Sequence, residues 1–171
     1  MTESADEIRK QVEQRVEAEA ATLPKPEEDQ KITGKLINDC LYANELGDGV
    51  LYATTFRNKF LFSKNTQEWF IWSGHCWQRD VMGKSLAGVE KIVEHYLVEY
   101  KSVSKQVTDI LANGGGKEAD DKIKKHKTKQ DAILNRVKQL RADKRRTACL
   151  KFAHTIDDPI AITGEEFDLK P

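Results

Sequence analysis

The segment Gly83-Lys84-Ser85 stands between a predicted strand and a predicted helix, where a loop that binds the phosphates of a nucleotide would lie. Such a loop has the sequence Gly-x-x-x-x-Gly-Lys-Ser/Thr, because glycine-rich backbone must wrap the phosphates. The first glycine would occupy position 78, which is Gln78. Capping of the following helix by Asp80 or Ser85 explains the segment better. We therefore predict no nucleotide site.

Histidine and cysteine, the usual zinc ligands, do not form a ligand set. His75 and Cys76 are neighbours on a predicted strand and point to opposite faces. Zinc ligands commonly come as closely spaced pairs, and only Cys149 with His154 approaches that spacing. A cysteine–histidine nucleophile would also need a third group to orient the base. We predict neither a metal site nor a catalytic residue.

Two aspartates, Asp48 and Asp80, are the carboxylates that a hydrolase would use. A hydrolase would require both side chains to converge in one pocket. We predict instead that each caps a helix, because aspartate accepts hydrogen bonds from the free N–H groups of a first helical turn. In this interpretation Gly47 ends one helix and Asp48 begins the next.

Basic residues are concentrated near the end of the chain. Net charge is zero, with 28 basic and 28 acidic residues, but residues 1–30 carry four bases against nine acids and residues 117–146 carry twelve bases against five acids. The basic tract, which also contains Arg136 and Lys138, is either a solvated helix face or a surface that binds DNA phosphates. The candidate DNA-binding residues are Lys122, Lys124, Lys125, Lys127, Lys129, Arg141, Lys144, Arg145 and Arg146.

Helices are predicted on both sides of a short aromatic region. Apolar spacing indicates helices over 33–46, with Thr33 as a cap, and over 49–58. The same spacing predicts long helices over 86–112 and 118–141, and the glycine-rich segment 113–116 should fold them into an antiparallel hairpin. A closing helix over 145–156 completes the predicted helical part.

All three tryptophans lie between Trp69 and Trp77. Short apolar runs within 59–80, separated by polar connectors, predict a three-stranded antiparallel meander in which Gly74 occupies a tight turn. Trp69 and Trp72 then face opposite sides of the sheet. Tryptophans on a small sheet packed by helices usually belong to the core. We expect Trp69 to be the partly exposed one; base stacking or binding of a proline-rich peptide is the alternative.

The pattern Glu68-Trp69-x-x-Trp72-x-Gly74-x-x-Trp77-x-x-Asp80 resembles the signature of the domain that precedes the superfamily-three helicase in phage and poxvirus-type DNA primase–helicases. In that family a Gly-Asp pair lies upstream, helices follow, and a Phe-Asp-x-x-Pro segment leads into the ATPase. The resemblance covers residues 35–171. It identifies these family-signature structural residues: Gly47, Asp48, Trp69, Trp72, Gly74, Trp77, Asp80, Phe167 and Asp168.

The resemblance implies a non-catalytic accessory domain that supports DNA engagement or assembly of a replicative helicase, in a phage or prophage protein. The chain would then be a piece of a longer protein, an ATP-dependent helicase with or without a primase domain. ATP and Mg²⁺ are expected only in the helicase part, and no cofactor is expected in this chain. The expected partners are DNA, the helicase domain of the parent protein and further copies of this chain. The alternative is a helix-mediated interaction or oligomerisation module without DNA binding.

The whole chain is predicted to be α+β and mainly helical. Residues 1–31 should form a charged helix over 3–21 and a proline-containing linker, residues 32–158 a globular helicase-associated domain, and residues 159–171 an extended connector toward a C-terminal domain. The domain comprises the meander 59–80, the hairpin 86–142 and the closing helix. Three isolated cysteines and no apolar run of about 18 residues favour a cytoplasmic protein without membrane contact.

Overall fold

The computed structural model describes residues 32–113, 116–157 and 159–163. Within this part the helices are α1 (Gly34–Tyr42), α2 (Asn44–Phe56), α3 (Lys84–Ala87), α4 (Val89–Ala112), α5 (Lys117–Leu140) and α6 (Asp143–Ala153). The strands are β1 (Phe60–Ser63), β2 (Glu68–Trp72), β3 (Trp77–Arg79) and β4 (Ala161–Ile162). The predicted mainly helical α+β fold is confirmed. The predicted helix 3–21, its linker, and Phe167 and Asp168 lie outside the described residues.

Thr33 caps α1 as predicted, because its Oγ1 accepts a hydrogen bond from the backbone N–H of Leu36 at 3.2 Å. The end of that helix was predicted wrongly. The chain turns at Ala43–Asn44, where Asn44 takes a φ of 55°, a left-handed conformation that asparagine tolerates. The break therefore falls before Gly47, and both Gly47 and Asp48 lie inside α2 and are buried.

The glycines of α2 allow close packing against other helices. A Cβ on Gly47 would collide with the backbone carbonyl of Cys40 in α1, and a Cβ on Gly49 would collide with Phe152 in α6. Glycine is needed here because α1 and α6 approach the α2 backbone itself. The prediction that Gly47 ends a helix was wrong because the sequence does not reveal this approach.

The sheet has the order β3-β2-β1-β4. Strands β1, β2 and β3 form the predicted antiparallel meander, with Phe62 opposite Trp69 and Trp72 opposite Trp77. Gly74 takes a φ of 99° in the turn between β2 and β3, as expected for this position. The fourth strand, β4, pairs in parallel with β1 in a segment that was predicted to be only an extended connector.

The two faces of the sheet differ from the prediction. Trp69 is on the core side, with ring centroids 5.2 Å from Phe62, 6.1 Å from Tyr52 and 5.9 Å from His154. Trp72 and Trp77 are half-buried and contact each other on the outer side. The alternation of side chains along β2 was predicted correctly. Trp69 is partly exposed, as expected, but so are Trp72 and Trp77, and it is Trp69 that packs against the core.

Helices α4 and α5 form the predicted antiparallel hairpin and pack against each other. Buried side chains of α4 end at Val103 and those of α5 begin at Ile133. Residues 104–112 and 117–132 contain no fully buried side chain, so this half of the hairpin is an arm that extends beyond the core. Among the described residues, no helix is both long enough and apolar enough to cross a bilayer.

Candidate nucleic-acid interface

A charged cluster lies at the base of the hairpin, where the Arg136 side chain of α5 reaches Asp48 in α2. Its centre is Asp48, whose side chain is fully buried at 0 % exposure. A buried carboxylate is costly unless cations and hydrogen-bond donors surround it. Helix packing supplies both, because α4, α5 and α6 each present a donor toward this point of α2.

Arg136 of α5 is the main partner of this carboxylate. Its Nη1 donates to Asp48 Oδ1 at 2.7 Å and to the backbone carbonyl of Asn44 at 3.0 Å. Its Nη2 donates to the carbonyl of Leu41 at 2.8 Å. The Leu41 carbonyl lies in the last turn of α1 and the Asn44 carbonyl at the start of α2, so Arg136 bridges the two helices. Arg136, 6 % exposed, therefore closes the helix break and neutralises Asp48.

Arg145 of α6 binds the second carboxylate oxygen. Its Nε donates to Asp48 Oδ2 at 2.9 Å, and its Nη1 lies 3.7 Å from Glu45 Oε1. Two arginines and two carboxylates thus form a neutral group that joins α2, α5 and α6. Arg145 was a candidate for DNA binding, and the structure places it mostly inside this group.

Uncharged donors complete the cluster. The hydroxyl of Tyr96 in α4 donates to Asp48 Oδ1 at 2.9 Å, and Cys149 Sγ donates to the Asp48 carbonyl at 3.4 Å. Burial, reinforced by the negative charge of Asp48, raises the pKa of both Tyr96 and Cys149. Both groups therefore stay protonated and act as donors. The cluster thus joins α2 to α4, α5 and α6.

The middle of the hairpin is held by polar contacts between its two helices. Lys129 Nζ lies 2.8 Å from Glu99 Oε1, and both side chains are largely shielded from solvent. Gln130 Nε2 donates to Ser104 Oγ at 2.7 Å. Lys129 is thus a candidate DNA-binding residue that already has an internal partner.

The remaining candidates divide into two groups. Arg141 is paired with Glu90 at 2.6 Å, and Arg146 donates to the Leu86 carbonyl at 3.3 Å. The others are exposed and have no ion pair within the described part of the chain: Lys122, Lys124, Lys125, Lys127 and Lys144. The structure therefore brings four of them together near the end of the arm and places Lys144 apart, at the start of α6.

Asp80 caps α3, as predicted. Its two carboxylate oxygens accept hydrogen bonds from the backbone N–H groups of Lys84 at 2.8 Å and Ser85 at 2.7 Å. Partial burial opposes ionisation of Asp80, but these hydrogen bonds outweigh it and lower the pKa of Asp80. Asp48 and Asp80 have different partners, so the structure does not bring them together as a hydrolase pair would require.

The histidines and cysteines have separate environments. The His154 ring stacks on Phe62, with centroids 3.8 Å apart, while Cys149 bonds to Asp48. Cys76 is exposed in the turn after β2. The described residues contain no group of three or more histidine, cysteine or acidic side chains arranged to hold a metal ion.

The cluster around Asp48 was not predicted, although the sequence contains a signal for it. Ile133, Arg136, Val137 and Leu140 follow the i, i+3, i+4, i+7 spacing of one helix face. An arginine in that pattern points toward the core and requires a buried acid. Asp48 stands in the same relation to Leu51 and Tyr52 on α2. The ion pair between Arg136 and Asp48 could therefore have been predicted from the sequence, because each charge lies on an apolar helix face.

The chain was compared with known families, curated proteins and solved structures. Residues 50–171 match the family model described as D5 N terminal like, the N-terminal domain of D5-like phage and poxvirus primase–helicase proteins. No curated protein and no solved structure matched. The match covers most of the chain, including the tryptophan meander, the hairpin and α6. The chain therefore belongs to the D5 N terminal like family.

Proposed function

We propose that this chain is a non-catalytic accessory domain of a phage or prophage primase–helicase, and that the end of its hairpin arm binds DNA phosphates. Membership of the D5 N terminal like family supports the primase–helicase context. ATP, Mg²⁺ and strand separation belong, in this proposal, to the helicase part of the parent protein in the bacterial cytoplasm. The supporting observation for DNA binding is the group of exposed lysines near the N-terminus of α5, at the far end of the arm.

The segment from Lys122 to Lys129 contains five lysines and no acidic residue. Four of the lysines are exposed and have no ion pair in the described part of the chain. Lys124 lies nine residues beyond Ile133, about 14 Å along the helix axis. Lysines held this far from the core can reach a DNA backbone while the rest of the domain stays folded. Phosphate contacts of this kind release counterions and carry no sequence preference.

Fluorescence anisotropy with labelled duplex and single-stranded DNA tests the proposal. If three lysines contact phosphates, the affinity for duplex should fall about 40-fold between ~50 mM and ~200 mM salt. Reversal of Lys122, Lys124 and Lys125 to glutamate should strongly weaken binding at the lower salt concentration. Absence of binding by the native protein at ~50 mM salt would exclude a phosphate-binding arm.

A matched control reverses three exposed lysines elsewhere: Lys35, Lys138 and Lys151. Both triple variants change the net charge equally, and Lys138 lies on the same helix as the arm lysines. The control variant should retain most of the affinity. Equal loss in both variants would mean that total charge, rather than the arm, determines binding.

An oligomerisation module is the second candidate function. Three apolar side chains of the hairpin are exposed: Val98 at 62 %, Leu111 at 63 % and Leu134 at 44 %. Such residues would be covered if the helices of two copies packed together. Light scattering over a range of protein concentrations distinguishes the candidates. A concentration-dependent oligomer with no DNA affinity supports this second function and contradicts the first.

A further inference from the structure

Two of the three tryptophans lie on the outer face of the sheet, away from the helical core. Trp72 and Trp77 are directly opposite each other on β2 and β3, with ring centroids 5.2 Å apart and planes inclined at 60°. Trp69 and Ile71, which alternate with Trp72 along β2, pack against the core instead. Since the core is built without them, Trp72 and Trp77 require another explanation.

Basic side chains stand on both sides of this tryptophan pair. The backbone N–H of Trp72 donates to the Lys59 carbonyl at 3.0 Å, so Lys59 continues the cross-strand row formed by Trp72 and Trp77. Side chains in such a row share one face of the sheet. Arg79 follows Trp77 by two residues on β3 and shares that face too. Lys59 is exposed, and the Arg79 side chain is 65 % exposed.

Negative charge is scarce around this face. By strand alternation this face carries two basic side chains, Lys59 and Arg79, and one acidic side chain, Glu68. Glu68 is paired with Arg79, and Asp80 accepts the two backbone hydrogen bonds that cap α3. The face therefore combines aromatic rings with a net positive charge. A polyanion with planar, apolar rings complements both features, whereas a proline-rich peptide uses only the rings.

We propose that Trp72 and Trp77 form a stacking site for bases of single-stranded DNA, with Lys59 and Arg79 next to the phosphates. The inference rests on the proposed DNA-binding function and adds a contact of different chemistry to it. In a duplex the faces of the bases are already stacked on one another. The hairpin lysines therefore bind either form of DNA, while the tryptophan pair selects the single strand.

An abasic oligonucleotide separates stacking from phosphate binding without altering the protein. We compare an oligothymidylate of about 12 nucleotides with an abasic strand of equal length, by anisotropy with the full chain. One stacked base should make the oligothymidylate bind at least about 5-fold more tightly. Stacking should also quench tryptophan fluorescence with the oligothymidylate only. Equal affinity for the two strands would overturn the inference.

Variants then locate the stacking site. Replacing both Trp72 and Trp77 with leucine should remove the preference for the oligothymidylate, while duplex affinity stays unchanged. Trp69→Phe, on the core side, is the matched control and should keep the preference. Lys59→Glu tests the site independently of the folding of the tryptophan variants, because the Lys59 side chain is exposed. It should weaken single-strand binding more than duplex binding.

The outcomes distinguish this inference from the proposed function. Reversal of Lys122, Lys124 and Lys125 should weaken duplex and single strand together, while a preference for bases survives in any residual binding. Two results would overturn the stacking site. One is loss of the preference for the oligothymidylate in the triple lysine variant, and the other is an equal loss of affinity for duplex and single strand in the double tryptophan variant. Quenching by a proline-rich peptide without quenching by the oligothymidylate would assign the face to peptides instead. Absence of all DNA binding would overturn both proposals.

Discussion

The two ends of helix α5 carry the same kind of charge in opposite settings. At the base, Arg136 is 6 % exposed and makes three hydrogen bonds to Asp48, Leu41 and Asn44. Near the tip, Lys122 and Lys124 are exposed and have no ion pair in the described part of the chain. A positive charge that is bonded on the core face stabilises the fold, whereas one that faces water is available to a partner.

This difference shows why counting charges gives a poor estimate of a binding surface. The twelve bases of residues 117–146 appear uniform in the sequence. In the folded protein Arg136 and Arg145 lie in the interior, and Lys129 lies at the contact between the two helices of the hairpin. The exposed basic surface that remains is smaller than the basic tract and lies closer to its N-terminal end.

The largest effect is expected from Arg136→Ala. The change leaves Asp48 buried with one guanidinium instead of two and removes the hydrogen bonds from Arg136 to the carbonyls of Leu41 and Asn44. The free energy of unfolding should fall by about 3–5 kcal/mol, the usual cost of breaking a buried ion pair. Urea denaturation followed by circular dichroism measures it.

Two further variants sharpen this result. Lys138→Ala removes an exposed charge two residues away on the same helix and should change stability by less than about 0.5 kcal/mol. Arg136→Lys keeps the charge but loses the planar fork, so its effect should lie between the other two. Similar losses for Arg136→Ala and Lys138→Ala would refute the distinction between a bonded, buried charge and an exposed one.

A smaller effect is expected in the middle of the hairpin, at Lys129 and Glu99. Their side chains are 20 % and 12 % exposed, so the ion pair is neither open to solvent nor fully buried. A double-mutant cycle with alanine at both positions should give a coupling energy of about 1 kcal/mol. A coupling energy near zero would group Lys129 with the exposed lysines and return it to the candidate DNA surface.

The smallest effect concerns pH and the sheet rather than the hairpin. Burial, followed by the nearby charge of Lys64, lowers the pKa of His154, whose ring stacks on Phe62. As the pH falls, His154 is therefore protonated in the unfolded chain before it is protonated in the folded protein. Stability should decrease from about pH 6.5, the ordinary histidine value, down to the lowered pKa in the folded protein.

Replacement of His154 with phenylalanine checks this pH dependence, since it preserves a stacked ring but cannot titrate. The slope of stability against pH between about pH 6.5 and 5 should become shallower in this variant. His95, whose pKa is also lowered by burial, accounts for part of the slope that remains. An unchanged slope would show that His154 is not a source of acid sensitivity.

The fold class and most elements were predictable because local patterns determine them. Thr33 capped a helix as its position suggested, Gly74 supplied a positive φ in a strand turn, and the hairpin followed from two amphipathic stripes. These features depend on residues close together in sequence. Local chemistry was sufficient in each case.

The errors arose where distant residues decide the outcome. Gly47 looks like a helix end, but it is required because Cys40 lies against the α2 backbone. Asp48 looks like a cap, but its partners Arg136 and Arg145 are 88 and 97 residues away. The orientation of Trp69 depended on which face of the sheet met Tyr52 and His154. No single local segment reveals these contacts, and the Asp48–Arg136 pair becomes visible only when the apolar faces of two distant helices are compared.

The attachment of α5 also determines how mechanical load passes through the molecule. Lys122 and Arg136 are fourteen residues apart on one continuous helix, a lever of about 21 Å. The ion pair between Arg136 and Asp48 connects this lever to α2. A pull on the far end of the arm is therefore shared between α4, which packs along α5, and α2, which is joined to α5 by this ion pair.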